Sequence, residues 1–109
     1  MIAVSIVLRI QPEKRLEFLS AIKSLMMRIR WLPGCLGCRL VVECDAAETF
    51  SLLAEWNDRP AFNRFLDSGE LIILQGMRLL LRDDPHAVID DVITRARMPF
   101  VTARRETST

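Results

Sequence analysis

Strict alternation opens the chain. Ile2, Val4, Ile6, Leu8 and Ile10 fall on one side of an extended segment, with Ala3, Ser5, Val7 and Arg9 on the other. β-branched residues dominate, so this stretch predicts a strand. From Gln11 the period lengthens to that of a helix. Pro12 stands in the first turn, where a missing N–H costs nothing. Glu13 and Glu17 suit the positive end of the helix dipole, and Arg28 and Arg30 the negative end. Phe18, Leu19, Ile22, Leu25, Met26 and Ile29 recur at helical spacing as the packed stripe, and Pro33 with Gly34 ends the element.

Two extended segments follow, joined by a polar break. Leu36, Cys38, Leu40, Val42 and Cys44 are expected on one face, with Gly37, Arg39, Val41 and Glu43 on the other. Residues 45–49 read as the turn, and alternation resumes from Phe50 to Trp56, setting Ser51 and Glu55 opposite Phe50, Leu52 and Ala54. Asn57 and Asp58 then offer a cap for a short helix through Phe62, Phe65 and Leu66, with Pro60 in its first turn. A second helical piece is predicted over roughly 70–81. Residues 82–85 stop it, and Val88, Ile89, Val92 and Ile93 favour a last strand within 86–95.

Strand, helix, strand, strand, helix in two pieces, strand is the order of a ferredoxin-like α+β fold, a split βαβ with a four-stranded antiparallel sheet. Both helices cover one face of that sheet. The other face would carry Ala3, Val7, Val41 and Leu53 among Arg9, Arg39, Glu43 and Glu55. An apolar patch of that kind calls for cover, so a second copy is expected to lay its sheet against it, giving a dimeric α/β-barrel with a cavity. The single domain is expected to span 1–97, with a partly disordered tail over 98–109.

Composition agrees with a buried second surface: half of the 109 residues are hydrophobic. Net charge is +1 with both signs interspersed, which provides no footprint for nucleic acid. The longest apolar run, 71–81, is broken by Gln75, Gly76 and Arg78, so no span and no membrane partner are expected. Without a basic leader ahead of its apolar residues the N-terminus does not read as a signal peptide, and a cytoplasmic location is expected.

Candidate chemistry is sparse. Cys35 and Cys38 form a CxxC, but it opens a strand rather than a helix, so the helix dipole that acidifies a redox thiol is missing. Zinc is excluded by spacing, since Cys38 and Cys44 on one strand lie roughly 20 Å apart. Small buried residues in a reducing compartment is the simpler reading. His86 is the lone histidine and the only obvious base near neutral pH, although a surface loop position at a strand start is the simpler reading. Arg9 and Arg39 point from the open face, where each is expected to pair with Glu43 or Glu55 across the barrel; alternatively one faces the cavity and holds a phenolate or carboxylate. Asn63 lies on the second helix, able to orient a ligand or simply solvated.

The stretches 33–39 (PGCLGCR), 55–56 (EW), 58–62 (DRPAF), 74–81 (LQGMRLLL) and 84–85 (DP) resemble, in order and spacing, the antibiotic biosynthesis monooxygenase-like family, in particular its quinol monooxygenase branch. The resemblance covers roughly residues 2–97. It implies a homodimer that binds small hydrophobic phenolic or quinone-like compounds and oxygenates them with O₂ and no metal, flavin or other cofactor. Trp56 matches the family's tryptophan at the pocket edge, where the indole can stack on an aromatic substrate and donate its N–H. Plain alternation places the same residue on the helix-facing side. Phe65 stands where many members carry a histidine, and the chain has no tyrosine. The candidate substrate site is drawn from Trp56, Arg9, Arg39, Glu55, Asn63 and Phe65, of which the resemblance supplies Trp56 and the Phe65 position. Trp56, Arg39 and His86 are its catalytic candidates. The alternative is a non-catalytic protein binding the same class of ligand, and a third reading is thiol redox chemistry at Cys35 and Cys38.

Overall fold

Strand β1, Ile2–Arg9, lies inside the sheet because its alternate residues are apolar enough to be buried. Ile2, Val4 and Leu8 are buried, as is Ile10 just beyond the strand. The computed structural model describes residues 1–93. A 3₁₀ turn at Pro12–Lys14 leads into α1, Arg15–Arg30, so the proline opens the turn ahead of the α-helix. Phe18, Ile22, Leu25, Met26 and Ile29 are the face α1 buries. The hairpin is β2, Cys35–Glu43, and β3, Ala46–Trp56. Its turn is therefore confined to Cys44 and Asp45, shorter than the polar run at 45–49 suggests, because the ladder resumes with Ala46 opposite Glu43.

Helix α2, Arg59–Leu66, is capped by Asp58, whose carboxylate accepts the Ala61 N–H at 2.9 Å. Helix α3, Gly69–Gly76, starts one residue before the predicted 70 because Ser68 caps it. It is also shorter than predicted: after Gly76 the chain tightens into a 3₁₀ turn, Met77–Leu80. Strand β4, His86–Asp91, closes the order. The part of that strand predicted beyond 93, and the tail at 98–109, lie outside the described residues.

All pairings are antiparallel and the sheet order is β2-β3-β1-β4. This is the ferredoxin-like arrangement. The helices lie on one face, where Phe50, Leu52, Ala54 and Trp56 of β3 meet the β1 row and the α1 stripe in one core. No helix is long and apolar enough to cross a membrane.

One alternation differs from expectation. The β2–β3 register shifts between Cys35 and Gly37, leaving Leu36 as an extra, exposed residue. Cys35 and Cys38 then both turn towards the helices, where Cys38 is buried and Cys35 packs on the core edge. Of the five residues expected to share the core face, Cys38 and Leu40 contact the core, whereas Leu36, Val42 and Cys44 are exposed.

Gly34 fixes the approach to β2. Its φ is +84°, and a Cβ there would fall onto the Cβ of Ala61 in α2. The same loop accepts Asn57 N–H at the Gly34 carbonyl, 2.8 Å away, tying the start of β2 to the end of β3.

Candidate functional site

The strand register builds the open face row by row. Glu55 lies between Gly37 and Ala3, and Ala3 is followed by Asp90. Leu53 lies between Arg39 and Ser5, with Val88 beyond; Ser51 lies between Val41 and Val7, with His86 beyond. His86 is thus the first residue of β4 and shares a face with Arg39, Leu53 and Glu55.

Two shallow depressions meet here. One, of about 200 Å³, is lined by Gly37, Cys38, Arg39, Leu53 and Glu55. The other, about 120 Å³, adds Ala3, Ser5 and Asp90 around the same Arg39, Leu53 and Glu55. Their floor is apolar and their walls hold both charge signs. Arg39 is exposed and in no ion pair among the described residues. Within the chain the Arg9 guanidinium lies 3.2 Å from the Asp83 carboxylate, beyond the end of the sheet. That pair is half exposed, so it adds little to stability.

Trp56 and Phe65 belong to the other side of the sheet. Trp56 is 0 % exposed and stacks on Phe65, ring centroids 4.9 Å apart with an interplanar angle of 24°. Its indole N–H is buried and meets no acceptor among the described residues. Asn63, on the exposed side of α2, joins neither group. The residues singled out from the sequence therefore divide across the sheet: Arg39, Glu55 and His86 on the open face, Trp56 and Phe65 among the helices.

A third recess escaped the sequence reading. Ile6, Leu8, Leu71, Leu74, Gln75, Pro85 and Ala87 line an apolar crevice of about 160 Å³ between the sheet and α3. Leu71 and Leu74 signal a buried helix stripe in the sequence, but only the tertiary packing shows that it fails to close over β1 and β4.

The thiols lack redox character. The Cys38 thiol is pushed up to about 11, chiefly by burial and then by the neighbouring Cys35, with Arg30 only partly opposing them. Cys35 is raised as well, chiefly by burial, against the Gly37 carbonyl contact and Arg30. Neither supplies a thiolate near neutral pH. Among the described residues no three His, Cys, Asp or Glu side chains are grouped to hold a metal ion.

A four-stranded antiparallel sheet, helices on one face and a mixed polar and apolar surface on the other, defines a ferredoxin-like α+β domain. Residues 1–71 match the model of the antibiotic biosynthesis monooxygenase family, and the chain belongs to that family. Solved structures agree on the fold. An antibiotic biosynthesis monooxygenase superposes with TM-score 0.78 at 24% identity, covering 86% of this chain and all of that one. A conserved protein from Methanosarcina mazei Go1 gives 0.77 at 24%, covering 82% and 89%. SnoaB, a cofactor-independent oxygenase from Streptomyces nogalater, gives 0.75 at 20%, covering 86% and 94%. No curated protein matches the sequence.

Proposed function

We propose that this protein is a cofactor-independent monooxygenase, a cytoplasmic homodimer that oxidises quinols or polycyclic phenols with O₂. The observation that carries this reading is Arg39, a cation without an ion pair among the described residues, beside the apolar floor of Leu53 on a face that also holds His86. SnoaB, with the same fold, is itself a cofactor-independent oxygenase.

The chemistry asks little of the protein. A phenol that loses its proton can give electrons to O₂; one oxygen atom enters the ring carbon and the other leaves as water with two hydrogens of the substrate. A partner sheet laid on the open face would dry the site, which strengthens every charge interaction inside it. Arg39 would then hold the phenolate, and the His86 imidazole, on β4 at the far edge of the same face, would take the proton of a substrate that spans the face. Glu55 would set the polarity of the wall. Trp56 offers its N–H to a ligand oxygen if the Trp56–Phe65 stack opens.

A second reading, a non-catalytic binding protein for the same compounds, is favoured by Phe65. It fills the place of a family histidine with an apolar ring stacked on Trp56. An oxygen electrode with a panel of hydroquinones and anthrone-like phenols separates the two. Turnover above autoxidation, insensitive to chelators and added flavin and lowered in Arg39→Ala, supports the oxygenase. Tight binding with no oxygen uptake above the heat-killed control assigns the protein to the second reading.

A further inference from the structure

The outward side of α1 carries a line of large apolar side chains that no described residue covers. Leu16 is 84 % exposed, Met27 61 % and Trp31, at the helix C-cap, 85 %. At 3.6 residues per turn the three fall within about 60° of one another, diametrically across from the buried stripe. Lys23 and Arg30 flank this line on one side and Arg28 on the other. All three are exposed, and none is in an ion pair among the described residues. Arg30 is held in place by its Nε–H, which donates to the Cys38 carbonyl at 2.9 Å. Between Lys23 and Arg30 lies a recess of about 250 Å³ floored by Met26 and Met27.

We propose that this face of α1 docks on an anionic lipid bilayer, with Trp31, Met27 and Leu16 entering the boundary between headgroups and acyl chains. Lys23, Arg28 and Arg30 then lie at the level of the lipid phosphates. Three features favour lipid over a protein partner. The apolar side chains stand singly along the helix, separated by Ser20 and Ser24, so a deformable surface fits them better than a shaped one. A helix lying in the interface plane shows this cross-section, an apolar line with cations on both flanks and an aromatic ring at one end. Residues 13–31 hold five basic and two acidic side chains in a chain whose net charge is +1, so the positive charge is concentrated here.

No membrane partner was expected from the sequence, because periodicity marks only the stripe a helix buries. Which apolar residues are left outside is decided by packing. The face lies on the helix side of the sheet, so a second copy on the open face would leave it free.

Vesicle flotation of the full chain tests the inference without requiring turnover, so its failure is separate from that of the oxygenase reading. Vesicles of phosphatidylcholine are compared with vesicles one-third phosphatidylserine, at low salt. Flotation is expected only with the anionic vesicles. A cation near such a surface is worth about fivefold in partitioning, so Lys23→Glu with Arg28→Glu should lower it by about 25-fold or more. Trp31→Ser should weaken flotation several-fold. In Trp56→Phe, where Trp31 is the remaining tryptophan, anionic vesicles should shift the emission to the blue. No flotation, equal flotation with neutral lipid, or flotation unchanged in the double variant would overturn the proposal. So would a fall in solution mass in Trp31→Ser, which would assign this face to contact between copies.

Discussion

Trp56 and Phe65 stack at 4.9 Å in the core, yet the Trp56 indole N–H is buried with no acceptor among the described residues. An unmet buried donor costs about 1–3 kcal/mol, so this pair combines favourable packing with a polar penalty. The two contributions separate by substitution. Phe65→Ala should destabilise by about 3–5 kcal/mol, as loss of a core ring does. Trp56→Phe removes the orphan donor along with part of the ring and should cost less than about 1.5 kcal/mol. Urea midpoints of the two variants check this; an equal loss in both would mean that the N–H is satisfied in solution.

Gly34 and Ala61 should behave as a coupled pair. Gly34→Ala places a Cβ on that of Ala61 and forces a left-handed backbone on alanine, so a loss of roughly 2–4 kcal/mol is expected. Adding Ala61→Gly relieves the overlap but not the backbone strain, and should restore only part of that loss. A double-mutant cycle that shows strict additivity would contradict the close approach.

Assembly is testable through the open face. If a second sheet covers it, light scattering should return about 25 kDa, twice the 12.5 kDa of one chain. Leu53→Lys, in the floor of both depressions, should shift the population to monomer, whereas Lys23→Gln on α1 should not. A wild-type monomer at micromolar concentration would remove the dimeric barrel.

Stability should fall in alkali partly through Cys38. Its folded-state value of about 11 stands above the ordinary 9.0, so the folded protein keeps a proton that the unfolded chain releases. The contribution is therefore intact below pH 9 and lost as pH rises from 9 towards 11. The drop in Tm across that window should be smaller in Cys38→Ala than in the wild type, although the variant itself starts from a lower Tm because a buried side chain is trimmed.

Local pattern was enough for the elements and the sheet. Alternation in 2–10 and 50–56 and the 18–29 stripe identify the buried faces, and their order leads to the ferredoxin-like arrangement, because side-chain period and chain order are properties of contiguous residues. What depended on distant partners was not legible. Leu36 bulges only because β2 must pair with β3, and that one extra residue turns Cys35 inward beside Cys38. Arg9 finds Asp83, in a loop 74 residues away in the chain. His86 faces Val7 because β4 joins the edge of β1 in one register and not the next. Trp56 follows plain alternation into the core, but its missing acceptor is a matter of which atoms the helices bring near it. Periodicity reports which side of a segment avoids water; hydrogen bonds, ion pairs and recesses depend on where separate segments stop against one another.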